Sequence, residues 1–159
     1  VTISHLLDEK LIIFLDVEDR NGAIQEMVRL LESSGKLRDP ALFQKAILER
    51  EKLVSTGIGM GVAIPHAKLE GYRDFFIAVG ISPKRGIDWN ALDQEFVQLV
   101  LMIGGPEKEQ KRYLQILSNL TAAIKDPLRR KQILKASTPK QVIALFEREN
   151  HGFEDQRCC

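Results

Sequence analysis

From Arg50 to Lys68 the chain reads REKLVSTGIGMGVAIPHAK, a segment that gathers residue types suited to holding and moving an anion. Gly57, Gly59 and Gly61 alternate along it, so backbone N–H groups can approach a ligand without an intervening Cβ and can form an anion-binding nest. Ser55 and Thr56 add hydroxyl donors, and Arg50 and Lys68 bring positive charge close in sequence. Pro65 confines Ile64 to extended backbone, which sets His66 on a stiff strand end. Histidine suits such surroundings as a nucleophile, because its ordinary pKa of about 6.5 leaves a neutral ring nitrogen at cellular pH. A phosphorylated imidazole has a labile P–N bond. The protein's task at such a site is to orient the ring and stabilise the phosphoryl oxygens as charge builds.

The same residues admit plainer uses. A glycine-rich run also serves as a mobile turn, and a histidine after a strand also serves as packing. Several specific chemistries are excluded. No Gly-Lys-Ser/Thr follows the glycines, so this is no Walker loop. A helix precedes the run and a strand follows it, which is not the order of a dinucleotide fingerprint. His5, His66 and His151 lack the spacing of metal ligands. No metal, nucleotide or organic cofactor is implied.

The elements that must position this segment follow from periodicity and punctuation. Thr2 to Leu7 reads as a short helical turn, and Leu11–Val17 as a strand. Asn21 is placed to cap a helix running to Ser34, with Ala23, Ile24, Met27, Val28, Leu30 and Leu31 on its buried face. Asp39-Pro40 starts a second helix, with Leu42, Phe43, Ala46, Ile47 and Leu53 pointing inward. Ser55–Gly61 reads as small and flexible, and Val62–Ile64 as a short buried strand. Two further strands are expected at Phe75–Ile81 and Phe96–Ile103, the second stopped by Gly104-Gly105-Pro106, with a turn or short strand at Ile87–Trp89. The last third is helical over 107–125, 128–135 and 139–149, the last segment capped by Ser137 or Thr138. One strand, two helices, three or four strands and then helices predict one α/β domain, a mixed sheet covered by helices.

The whole chain sets the remaining bounds. Its 159 residues fit one domain, expected over 1–150, with a polar tail at 151–159. Hydrophobic residues at 44% and charged residues at 28% are ordinary for a globular protein. A formal net charge of +1 implies no bulk attraction to nucleic acid or membrane. No apolar run reaches the roughly 20 residues that cross a bilayer, and no signal peptide is visible, so a cytoplasmic location without membrane insertion is expected. The two cysteines, Cys158 and Cys159, are adjacent at the C-terminus and cannot staple a fold.

Glu51, Ile58-Gly59 and Val62-Ala63-Ile64-Pro65-His66-Ala67 reproduce, with matching spacing, the active-site signature of fructose/mannitol-type enzyme IIA domains. These belong to the bacterial phosphoenolpyruvate-dependent phosphotransferase system. With Arg50, Ser55 and Thr56 included, the segment most resembles the nitrogen-regulatory branch. The resemblance spans residues 3–148 and implies a mixed five-stranded sheet flanked by helices. It implies His66 as phosphoryl acceptor, through Nε2, from the phosphocarrier HPr or its nitrogen-branch counterpart. It implies Arg50 as the group that neutralises the phosphoryl, a solvated helix-end charge being the plainer alternative. Ser55, Thr56, Gly59 and Tyr113 become candidates for orienting it, and Ile58 and Met60 candidates for an apolar rim where a partner docks. Those two could equally pack in the core or stand exposed.

The family commonly carries a second histidine at the start of the helix after the last central strand. Tyr113 stands there in this sequence. A phenol can donate a hydrogen bond but gains no positive charge, and Tyr113 could also simply pack. Three functions follow: a regulatory relay of nitrogen type with target proteins as partners, a sugar-transport enzyme IIA donating to an enzyme IIB cysteine, and a non-catalytic regulatory module on the same fold. The first is favoured because nothing here resembles an attached IIB or IIC domain, and Tyr113 is the feature that favours the third.

Overall fold

The computed structural model describes residues 3–148, so the expected tail at 151–159 and both cysteines lie outside the described residues. Four of its five α-helices start on side-chain caps that the sequence supplies. Asp19 accepts the Gly22 N–H at α1 (Arg20–Ser33), and Asp39 accepts the Leu42 N–H at α2 (Pro40–Leu53). Asp126 accepts the Leu128 and Arg129 N–H groups at α4 (Pro127–Lys135), and Thr138 forms a capping box with Gln141 at α5 (Pro139–Glu147). Each such cap stabilises its helix by about 1 kcal/mol. Asp19, not Asn21, is the cap of α1, because Asn21 already lies inside the first turn.

The strands are β1 (Ile12–Phe14), β2 (Gly57–Gly59), β3 (Val62–Ala63), β4 (His66–Leu69), β5 (Phe76–Ile81) and β6 (Leu99–Pro106). They form one mixed sheet in the order β1-β5-β6-β3-β2, with β4 also paired to β6. The expected mixed sheet flanked by helices is present, with six strands rather than five. The extra strand arises because β3 and β4 follow one another in parallel along β6, divided at Pro65, which has no N–H to give a ladder. β2 is the strand that composition hid: it pairs antiparallel with β3 through a turn at Met60 and Gly61, both with positive φ.

β6 begins and ends three residues later than expected. Val97 instead makes an isolated bridge to Ile87, and Gly104, Gly105 and Pro106 stay in the ladder beside Ala67, Lys68 and Leu69. The two glycines are sites of close approach rather than a stop. A Cβ on Gly104 would collide with the Phe76 ring, and one on Gly105 with the Phe75 ring. Because the sheet runs on to Pro106, α3 (Gln110–Ile124) starts three residues later than its periodicity suggests.

Side chains alternate between two cores. Val62, Ile64, Ile77, Leu101 and Ile103 face α3, α4 and α5, whereas Ala63, Ala67, Phe76, Val100 and Met102 face α1 and α2. On α2 the buried stripe is Phe43, Ile47 and Glu51, at helical spacing of four. Leu42 and Leu53, expected inside, are 49% and 81% exposed. The third position of that stripe is an acid, and it belongs to the site.

Candidate functional site

His66 opens β4 just after the Pro65 break. Its Nδ1 lies 3.0 Å from the Ile64 carbonyl oxygen. A carbonyl can only accept, so Nδ1 carries the proton and Nε2 keeps its lone pair. Burial holds the imidazole below its ordinary pKa; Arg50 and Lys68 push the same way, while the Ile64 carbonyl and Glu51 oppose them. The ring is therefore neutral at neutral pH, with one defined tautomer and a nucleophilic nitrogen.

On α2, Glu51 is 3% exposed. Its carboxylate accepts the Thr56 N–H at 3.2 Å and the Thr56 hydroxyl, and lies 3.7 Å from the Arg20 guanidinium. The Thr56 carbonyl accepts the Ile64 N–H at 3.0 Å. α1, α2 and the strand entering Pro65-His66 are thus tied together through one buried carboxylate. A buried charge of this kind is tolerated because it is paired with Arg20 and accepts hydrogen bonds from Thr56.

The sequence-derived candidates separate accordingly. His66, Arg50 and Tyr113 come together: the Tyr113 ring centroid lies 5.5 Å from that of His66, and the Arg50 charge acts on both groups. One Arg50 N–H group also holds the Val54 carbonyl at 2.9 Å, securing the end of α2. Burial raises the Tyr113 pKa, so the phenol stays protonated at neutral pH. Thr56, expected to orient an anion, is buried with its hydroxyl engaged by Glu51. The Ser55 hydroxyl accepts the Gly57 N–H at 3.1 Å.

Gly59, Ile58 and Met60 sit on the β2–β3 hairpin. The register puts that end beside Leu99, whereas His66 pairs with Ile103, four residues and about 13 Å further along β6. Gly59 therefore does not face the imidazole. Ile58 and Met60 are 42% and 44% exposed, so they are not packed in the core.

Sequence reasoning passed over four contributors. Glu51 was legible as a signature residue but not as the buried anchor. Arg20, on α1, carries no local signal. Phe75 stacks on Tyr113, with centroids 6.3 Å apart, in the space that Gly105 leaves open; only that glycine hinted at it. Gln110, at the start of α3, accepts a hydrogen bond from Lys68.

The fold is that of phosphotransferase IIA proteins. The nitrogen regulatory protein IIA-Ntr of Neisseria meningitidis superposes with a TM-score of 0.83 at 28% identity, covering 91% of this chain and 98% of that one. The family model described as the phosphoenolpyruvate-dependent sugar phosphotransferase system, EIIA 2, matches residues 5–149, and the chain belongs to that family. A fructose-specific EIIABC component of Bacillus subtilis is 37% identical over 136 residues, 86% of this chain, which spans only 21% of that protein. A fructose-specific EIIA component of Haloferax volcanii is 33% identical over 123 residues, 77% of this chain and 79% of that protein. Family membership makes the chain a phosphotransferase-system component, with relatives of both the sugar and the nitrogen-regulatory kind.

Proposed function

We propose that His66 accepts a phosphoryl group on Nε2 from a phosphohistidine carrier protein, HPr or its nitrogen-branch counterpart, and passes it on or signals by holding it. The observation that carries this is the bond between Nδ1–H and the Ile64 carbonyl, which leaves Nε2 as the free nucleophile in a partly buried, cationic setting. In the transfer, Nε2 donates its lone pair to phosphorus as the carrier's P–N bond breaks, and the carrier's histidine keeps that electron pair. The His66 ring gains positive character, so the hydrogen bond from Nδ1 to Ile64 strengthens as the product forms. Arg50 meets the phosphoryl charge. No helix among the described residues is long and apolar enough to cross a membrane, and we assign the exchange to the cytoplasm.

For the branch, the nitrogen-regulatory reading is supported by the likeness to the Neisseria protein over 98% of its length. The sugar-transport reading is supported by the 37% identity to the fructose-specific relative, and its distinguishing step is donation to an enzyme IIB cysteine. The test is incubation of the chain with phosphoenolpyruvate, enzyme I and each carrier in turn, followed by a search for acid-labile, base-stable phosphate. Label on wild type and none on His66→Ala is expected; an unlabelled wild type would refute the relay. Faster transfer from the nitrogen-branch carrier marks the regulatory type. Discharge by an enzyme IIB domain marks the sugar type.

A further inference from the structure

We infer that Lys68, seated on the face of Tyr113, is the second phosphoryl-binding cation of this site, and that Tyr113 serves it as a shelf rather than as a phenolic donor to the phosphoryl group. This rests on His66 being the acceptor.

Three observations carry it. First, alternation along 62–68 is unbroken: Val62 and Ile64 face the α3 side, while Ala63 and Ala67 face the α1–α2 side. His66 and Lys68 therefore project from β4 on the α3 side, two residues and about 7 Å apart along the strand. Second, the Lys68 ammonium lies 4.5 Å from the centroid of the Tyr113 ring, the same ring that lies 5.5 Å from the imidazole. Both groups flank one aromatic plate, and the Lys68 charge acts on the imidazole. Third, Gln110 accepts one of the three ammonium donors and so aims the side chain, leaving two donors for an anion.

Charge matching gives this arrangement its purpose. A phosphoryl group carries close to two negative charges at neutral pH. Arg50 supplies one positive charge, and the protonated Tyr113 phenol supplies none. Lys68 provides the other. A cation over an aromatic face is also attracted by the ring quadrupole, which holds it there. The plate is itself braced from behind, where Phe75 occupies the space left by Gly105 and Arg112 lies 5.8 Å from the Phe75 ring centroid.

The test uses the full chain and a ³²P-labelled carrier, comparing Lys68→Met, Lys68→Arg, Tyr113→Phe and Tyr113→Leu, with folding checked by amide chemical shifts. Transfer to Lys68→Met is expected to slow by about tenfold or more, as for loss of a charge-stabilising donor. In the same variant the ³¹P resonance of phosphorylated His66 should titrate at higher pH than in wild type, a readout that mere structural support would not move. Lys68→Arg and Tyr113→Phe keep cation and plate and should stay within about threefold of wild type, while Tyr113→Leu should match Lys68→Met. Transfer at the wild-type rate in Lys68→Met, or a loss in Tyr113→Phe as large as in Tyr113→Leu, overturns the inference while leaving His66 as acceptor. A wild type that takes no phosphoryl group overturns both.

Discussion

The Arg50–Lys68 segment divides into a hydrogen-bonded part and an open turn. On either side of the turn Glu51, Thr56, Ile64 and His66 are joined by hydrogen bonds that leave the imidazole one orientation. Between them the hairpin tip carries Gly59, Met60 and Gly61 at φ of 87°, 62° and 72°, with the Met60 side chain turned outward and its sulfur 3.4 Å from an Arg130 nitrogen. A non-glycine residue in the left-handed region costs about 1–2 kcal/mol, which asparagine or glycine would avoid. The contrast teaches that a motif marks a neighbourhood, while hydrogen-bond partners decide which members do chemistry. The hydrogen-bonded part is held in one geometry; the turn is left strained and exposed.

Substitutions can break or sharpen this contrast. The largest effect is expected at the anchor: Glu51→Ala removes a buried carboxylate and strands the Thr56 amide and the Arg20 guanidinium. A loss of about 3 kcal/mol in chemical denaturation is expected, with slower phosphoryl uptake. A loss below about 0.5 kcal/mol would show that the hydrogen-bonded part is not held by this group.

Arg50→Met acts next. It removes one cause of the lowered His66 pKa, so that pKa rises and the neutral, nucleophilic fraction falls as pH drops below the ordinary histidine range. An NMR titration of the imidazole should show the rise, and uptake should become more acid-sensitive than in wild type. An unchanged titration would remove Arg50 from the site.

The smallest effect, and one of mixed sign, is expected at the tip. Met60→Gly relieves the backbone and should raise stability by about 1 kcal/mol. Its apparent affinity for the carrier should weaken a few-fold while the rate at saturating carrier stays unchanged. Weaker binding with no gain in stability would leave the rim in place and remove the strain.

Much of this was legible beforehand. Asp39-Pro40 and Thr138-Pro139 announced their helices, and the chain of residues from Glu51 to Ala67 announced the histidine. Three features were not readable, each for a physical reason. Gly104-Gly105-Pro106 looks like a strand breaker, yet it stays in the ladder because Phe75 and Phe76 need the missing Cβ atoms. Ser55–Gly61 looks like a mobile loop, yet part of it folds as a hairpin whose positive-φ turn the glycines permit. Arg20 reaches Glu51 only because α1 packs on α2, a contact that no local spacing encodes. Lys68 lay between: its charge was plain in sequence, but its place beside His66 required knowing that alternation survives the break at Pro65.

The most direct test of Nε2 as the carrying atom is ¹⁵N–³¹P correlation on the phosphorylated, ¹⁵N-histidine-labelled chain. Phosphorus coupled to Nε2 of His66, with Nδ1 still bearing a slowly exchanging proton, is the result expected from its hydrogen bond to Ile64. Phosphorus on Nδ1, or on any residue other than His66, would contradict it.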